Sequence, residues 1–197
     1  MAKIIALTNV SLDGVMQAPA TPDEDTRDGF TQGGWAAPYA AMQDAGEVFA
    51  NVGAVLFGRW TYESFYAAWA NQPGNPFSDF FDNIQKYVVS TTLEQPLIWQ
   101  NSTLINGDVA QAISRLKQDL DQNIVVFGSG VLLQSLLRDG LVDQYALLIH
   151  PLVLGAGRRL FADDGTSAGL RLIDSKTTGT GVIFANYQPT APGESAA

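Results

Sequence analysis

The sequence predicts a single α/β domain over residues 1–188. Its sheet is expected to be mixed and mostly parallel, covered by helices on both faces in three layers, with antiparallel strands at the C-terminal end. Three observations carry that expectation. Short apolar runs alternate with amphipathic stretches through most of the chain, the pattern of strand–helix–strand units. Several of those runs end on glycine or hydroxyl residues directly before a helical stretch. The last quarter has strand patterns with no helix between them.

Taken in order, Lys3–Thr8 reads as a short buried strand, because Ile4, Ile5, Ala6 and Leu7 form a continuous apolar run. A long irregular stretch follows from Val10 to Trp35, rich in Gly and Pro and carrying the acidic cluster Asp23, Glu24 and Asp25. A loop of this length inside a compact domain reads as a functional lid, with a disordered surface excursion as the alternative. Pro38–Asn51 reads as a helix, since Met42, Ala45, Val48 and Phe49 recur on one face. Ala54–Phe57 is a second strand, ending at Gly58, and Thr61–Trp69 a short helix onto which Glu63 can cap back. Gln72–Pro76 is a loop. Asp79–Ile84 reads as a helical turn or two, and Tyr87–Val89 and Thr103–Ile105 as strands.

Asp108 is the N-cap of a helix whose buried face is Val109, Ala112, Ile113, Leu116 and Leu120. Ile124–Phe127 is the next strand and runs through Gly128-Ser129-Gly130 into a leucine-rich helix. That helix stops at Asp139-Gly140, with glycine where a left-handed cap is expected. Leu141–Leu154 is a long apolar β run; Leu170–Thr177 and Val182–Tyr187 read as a hairpin around Gly179-Thr180-Gly181. The tail, residues 189–197, is small and polar and expected to be disordered.

Composition narrows the function. The chain has 197 residues, Lys+Arg 11 against Asp+Glu 20, one His and no Cys. A domain of this size buries roughly 70% of its unfolded surface and needs no staples. Without Cys there is no disulfide, thiolate nucleophile or Cys zinc site, and one His excludes a multi-histidine metal site, so no metal is expected. A net charge of −9 with dispersed basic residues argues against nucleic acid. No run approaches the ~18 apolar residues of a membrane span, and the start lacks a signal-peptide pattern, so a cytoplasmic protein is expected.

Three motifs sit where parallel strands are expected to end, and so on one edge of one sheet. Gly128-Ser129-Gly130 lets a backbone approach a phosphate at a helix N-terminus. It lacks the full dinucleotide fingerprint, and Ser129 as an ordinary cap explains it equally well. Gly58-Arg59-Trp60-Thr61 offers a fork of donors and a hydroxyl at a helix start, or simply an exposed Arg on a capped helix. Ser90-Thr91-Thr92 offers three hydroxyls that suit a ribose or a phosphate. Together they suggest an extended, multi-phosphate ligand such as a dinucleotide.

At these residues the chain resembles a known superfamily. Gly58-Arg59-x-Thr61-Tyr62-Glu63 resembles the Gly-Arg-x-Thr-aromatic-Glu motif of dihydrofolate reductases. Ser11-Leu12-Asp13-Gly14 is similar to the start of the reductase domains of riboflavin biosynthesis, as is His150-Pro151 through Gly155-x-Gly157 to Leu160-Phe161. The resemblance runs from Lys3 to Tyr187 and implies a dihydrofolate-reductase-like fold with NADPH across the sheet edge. It implies that Arg59 and Thr61, beside Gly58, contact the cofactor phosphates. Ser90 and Thr91 would lie by the adenosine ribose and its 2′-phosphate. Gly128, Ser129 and Gly130, with Leu132, would cradle the pyrophosphate. Thr8, Asn9 and the Leu12–Met16 segment, Gly14 included, would flank the nicotinamide. The Val10–Trp35 loop would be the lid that excludes water during hydride transfer.

Two departures stand out. The pterin-binding carboxylate falls in the region of Asp44 and Glu47, but neither aligns with its position, which argues against dihydrofolate itself. No basic residue follows Ser90 and Glu94 is nearby, which leaves NADH open beside NADPH. Other residues have two readings each. Asp13 either donates a proton near the nicotinamide or fixes its own turn. His150 is either structural or part of a substrate pocket. Trp35, Tyr39 and Phe30 either line an aromatic pocket or belong to the core. Arg158 and Arg159 either hold a substrate phosphate or form a solvated pair.

The leading expectation is an NAD(P)H-dependent reductase that passes hydride to a C=N or C=O bond of a small pteridine- or pyrimidine-like substrate. The alternatives are a non-catalytic nucleotide-binding protein on the same fold, and a short Rossmann variant. Leu141–Leu154, taken as an edge run, needs covering, and a homodimer is expected, as the resemblance also implies.

Overall fold

The structure is a computed structural model, and it describes residues 1–39 and 48–190. Strands and helices follow in the order β1 (Ile4–Ser11), β2 (Val52–Gly58), α1 (Arg59–Trp69), α2 (Pro76–Asn83), β3 (Gln85–Val89), β4 (Ser102–Ile105), α3 (Val109–Asp119), β5 (Asn123–Phe127), α4 (Gly130–Arg138), β6 (Gln144–His150), β7 (Leu170–Thr177) and β8 (Ile183–Pro189). The chain gathers into two compact units: Met1–Ile4 with Asn51–Leu141, and Ile5–Ala50 with Val142–Ala197.

The first unit holds a parallel sheet in the order β4-β3-β2-β5. Ala54, Val55, Leu56 and Phe57 of β2 are all fully buried, so both faces of this strand are covered. That is why the run reads as unbroken hydrophobicity rather than alternation. Crossovers between parallel strands are right-handed almost without exception, and this accounts for the covering. The chain leaves β2 toward β3 and β4, then returns to the other side of β2 at β5, which puts the connecting helices on opposite faces. An aromatic cluster fills one layer, with the Phe57 ring 5.1 Å from Phe65 and 6.2 Å from Phe127. Each such buried side chain contributes about 1.5–3 kcal/mol.

The helices of this unit begin and end where their sequences say. Asn75 accepts from Phe77 N and Pro76 opens α2. Asp108 accepts from Gln111 N at the start of α3. At the end of α4, Leu141 N donates to Leu136 O and Gly140 N to Leu137 O, with Gly140 at φ +64, a complete Schellman closure. Lys86 is fully buried; its ammonium donates to Phe81 O and Ile84 O at the end of α2 and lies over the Trp99 ring. Loss of solvent lowers its pKa to about 8, against the pull of Asp82.

The second unit pairs β1 with β6 in parallel, then β6 with β8 and β8 with β7 antiparallel. Its β7–β8 turn closes through Thr178 N to Val182 O and Gly181 N to Thr178 O. Residues 12–36 contain a 3-10 turn at Arg27–Gly29 but are not open loop. Val15, Ala18, Phe30 and Trp35 form a small core of their own, against Leu152 and Leu154. Val15 bridges Arg159, Met16 N donates to Arg158 O, and Leu160 N to Gly14 O. Gly157 makes this possible. Its φ is +116, and a Cβ there would stand 2.7 Å from Val15 and 2.8 Å from Phe30.

The structure corrects the reading of Leu141–Leu154. Only Gln144–His150 is strand, and it lies between β1 and β8, so it is not an edge. An apolar run this continuous marks a strand buried on both faces, and Pro151 ends it. The exposed edge strand of this unit is β7. The helix expected over Pro38–Asn51 falls mainly outside the described residues; Ala37–Tyr39 is a 3-10 turn. Residue 189 ends β8, and residues 191–197 of the expected tail lie outside the description. Among the described residues no helix is long and apolar enough to cross a membrane.

Candidate functional site

The first unit gathers all three strand-end motifs at the carboxyl ends of β2, β3 and β5. They are joined by hydrogen bonds. Ser129 Oγ accepts from Gly58 N at 2.9 Å, and Thr61 Oγ1 accepts from Ser129 N at 3.2 Å. Arg59 Nη1 donates to Thr92 Oγ1 at 2.7 Å, which ties the start of α1 to the end of β3. Ser90 Oγ accepts from Thr92 N and Leu93 N, folding that strand end into a tight turn. The strand order reverses between β2 and β5, the position at which open α/β sheets bind ligands.

Local backbone geometry shapes this edge. Gly128 and Ser129 both take left-handed conformations, at φ +51 and φ +55. A serine held there costs roughly 1–2 kcal/mol, and such residues cluster at functional sites. The step from left-handed Ser129 into helical Gly130 turns successive amides toward one side, as in anion-binding nests. Ser129 makes no cap bond to α4, so the capping alternative falls; its hydroxyl is used on Gly58 instead. Glu63 does not cap α1 either: it accepts from Arg59 Nε at 3.1 Å and steers the half-exposed guanidinium.

The other expected contacts are less uniform. Leu132 is buried in the core on the inner face of α4. Thr91 is exposed, and Thr92, its neighbour, is the residue that meets Arg59. Ser90 is buried and occupied by its own turn.

The second unit holds a different cluster. Asn9 lies on β1 and His150 at the end of β6, and Asn9 Oδ1 lies 2.8 Å from His150 Nε2. His150 is fully buried, with Trp35 and Tyr39 rings edge-on at 5.2 and 5.1 Å. Burial alone drives its pKa down to about 4, so the imidazole is neutral at pH 7. Trp35 is pinned by its indole N–H on Gln17 O at 2.7 Å. Thr8 is buried beside Asn9, and Gly14 sits at φ +80 in the turn closed by its N–H on Ser11 O.

Asp13 ties its own turn to the loop after β6. Its carboxylate accepts from Ser11 Oγ at 2.7 Å, Leu154 N at 3.1 Å and Gly155 N at 2.8 Å. The Ser11 bond, followed by the backbone bonds, holds its pKa at about 2 despite some desolvation. These bonds are the ones the turn-fixing reading calls for. Arg159 donates to Asp13 O, and Arg158 pairs with Asp28, so both arginines bind the 13–28 segment back onto the loop after β6. Phe30 belongs to the core of that segment. Asp44 and Glu47 lie outside the described residues. No group of three or more His, Asp or Glu among the described residues could hold a metal ion.

Gln17 was invisible in the sequence. It is buried, donates to Asp25 O and Arg27 O, and accepts from Arg158 N. Those partners are remote or lie in irregular backbone, and no spacing pattern signals them.

Comparison with known proteins fits this arrangement. The Bacillus subtilis (strain 168) protein YyaP is 32% identical over 103 residues, 52% of this chain and 54% of that one, so the match spans about half of that relative's length. A pyrimidine reductase-like protein from Corynebacterium diphtheriae superposes with a TM-score of 0.65 at 13% identity, covering 96% of this chain and 92% of that one. Dihydrofolate reductase from Enterococcus faecalis, solved with NADP(H), gives 0.62 at 12% identity, covering 96% and 97%. The fold is thus the dihydrofolate-reductase-like α/β fold, with a mixed, mostly parallel sheet and antiparallel C-terminal strands. A single family model, the RibD C-terminal domain, matches residues 2–184 across both units, and the chain belongs to that family.

Proposed function

We propose that the protein is an NADPH-dependent reductase that transfers hydride to a C=N or C=O bond of a small pteridine- or pyrimidine-like heterocycle. One observation carries the reading: the hydrogen-bonded joining of Gly58, Arg59, Thr61, Thr92 and Ser129 at the carboxyl ends of parallel strands. The donor set suits a phosphate-bearing cofactor. Arg59 is a half-exposed cation, while α1 and α4 both start at this edge with donor amides and positive potential. NADH would use the same donors, and the turn after Ser90 adds no cation to select for a 2′-phosphate.

When bound, the nicotinamide supplies the hydride. The chain's own residues have simpler tasks. Arg59, Thr61, Ser129 and Gly130 hold phosphate oxygens. Asp13 fixes the turn at Gly14, which keeps β1 and the loop after β6 in register. The 12–36 segment, through its small core of Val15, Ala18, Phe30 and Trp35, shields the carboxyl ends of β1 and β6 from water.

Titration with NADPH, followed by the fluorescence of the four Trp residues, tests the reading. Saturation below millimolar cofactor is expected, and its absence overturns the proposal. Oxidation of NADPH across a panel of pteridines, pyrimidines and simple carbonyls then tests turnover. A second reading is favoured by Asp13, which is held ionised: a non-catalytic nucleotide-binding protein would bind NADPH and oxidise none of it with any substrate. A homodimer is part of the same proposal, now resting on the exposed β7 edge with Leu172 and Ile173. Size-exclusion chromatography at micromolar concentration should show twice the chain mass.

A further inference from the structure

We propose that His150 is a substrate-recognition residue: its Nδ1 accepts a hydrogen bond from a ring N–H of a planar heterocycle, in a subsite walled by Trp35 and Tyr39. The inference rests on the reductase reading only for the class of ring; the hydrogen-bond acceptor itself is a property of the second unit.

The argument starts from an orphaned atom. His150 is fully buried, and its Nδ1 has no hydrogen-bond partner among the described residues. A buried polar atom left unpaired costs about 1–3 kcal/mol, and each such atom in a native structure calls for an explanation. The other ring nitrogen decides what the atom can do. Nε2 faces Asn9 Oδ1 at 2.8 Å, and a carbonyl oxygen can only accept, so Nε2 carries the proton and Nδ1 a bare lone pair. Asn9 therefore acts as a positioning residue that sets the tautomer, and Nδ1 is left as an unpaired acceptor.

Position adds to the case. His150 pairs in register with Ser11 at the carboxyl ends of the parallel strands β1 and β6. That is the end of an α/β sheet at which ligands bind. The surroundings are flat and apolar, with two aromatic rings near-perpendicular to the imidazole at 90° and 76°. The two walls differ in freedom. Trp35 is buried and held by Gln17, whereas Tyr39 is half-buried and its backbone is held through its carbonyl by Thr180 Oγ1. Of the two rings, Tyr39 is the more exposed. Flat apolar walls with one buried acceptor select a planar ring bearing an N–H, the chemistry of a lactam or cyclic imide.

The single histidine makes the test direct. Protein labelled with ¹⁵N at histidine gives ring nitrogen resonances from His150 alone. Without ligand, Nδ1 should appear unprotonated and Nε2 protonated at pH 7; the reverse assignment overturns the proposal. The probes are lumazine, a pteridine dione with ring N–H donors, and 1,3-dimethyllumazine, the same ring without them. Lumazine should move the Nδ1 resonance in the direction of hydrogen-bond acceptance and bind at least about ten-fold more tightly than its dimethyl analogue. An unmoved Nδ1 at saturating lumazine, equal affinity for the two rings, or no binding of either overturns the proposal. All of this is read on wild-type protein without cofactor. Failure of NADPH to bind therefore sinks the reductase reading and leaves the Nδ1 result standing, and the converse holds equally.

Discussion

Ser129 Oγ accepts a hydrogen bond from Gly58 N at 2.9 Å, across 71 residues of chain. This bond joins the end of β2 to the turn after β5, while Ser129 N is held in turn by Thr61. One serine, in a left-handed conformation, thus sets the spacing of two strand-end motifs.

That bond yields the first prediction. Ser129→Ala leaves a partly buried amide at Gly58 unpaired and should cost about 1–3 kcal/mol of stability. Ser129→Gly loses the same hydroxyl but relieves the backbone at φ +55, so it should be about 1 kcal/mol more stable than Ser129→Ala. Urea denaturation of the two variants checks the order. Equal stability would show that the left-handed residue is unstrained.

Arg59→Ala removes the half-exposed cation at the start of α1 and leaves its partners Glu63 and Thr92 on the surface. Folding stability should change little, because exposed ion pairs contribute about 0–1 kcal/mol. NADPH affinity should fall roughly ten-fold or more, as expected for losing charge-assisted bonds to a phosphate. Fluorescence titration measures it, and unchanged affinity would favour a Rossmann-type mode that does not use Arg59.

His150 predicts an acid-sensitive stability. Its pKa lies near 4 in the folded chain and near 6.5 when unfolded. Between those values only the unfolded state takes up the proton, so stability falls as pH drops through the window. The loss should approach about 3 kcal/mol by pH 4. Asp13 titrates below this range, between 3.8 and about 2, and acts in the same direction there. Unfolding free energies at pH 7 and pH 4.5, for wild type and His150→Gln, separate the histidine's share. A variant with the same pH slope as wild type would contradict the assignment.

Gly157→Ala should be strongly destabilising, by about 3 kcal/mol. The added Cβ would strike Val15 and Phe30, which close the small core of the 12–36 segment, and φ +116 suits glycine. Thermal melts check it. By contrast Gly155→Ala meets open space, so its cost should be the smaller one of a strained φ alone.

While the helix expected over Pro38–Asn51 lies mainly outside the described residues, local sequence signals carry the order of the described strands and helices from Ile4 to Pro189, the cap at Asp108, the glycine stop at Gly140 and the three strand-end motifs. Each of these is a local signal: an apolar run, a side chain that caps within three residues, or a backbone angle that favours one residue type. The resemblance to reductases rested on the same local motifs. Tertiary structure alone decided how the side chains are used. Ser129 caps nothing and instead holds Gly58, and Asp13 is tied across the fold to the amides of Leu154 and Gly155. The Gln17 side chain bonds the backbone at residues 25, 27 and 158, and its own carbonyl accepts from the Trp35 indole. The apolar run before Pro151 is an inner strand, because β8 returns to cover its free side. Burial sets the charge of His150, while Asp13 is held first by Ser11, two residues away, and then by amides at Leu154 and Gly155, and no short window of sequence contains that burial or those amides.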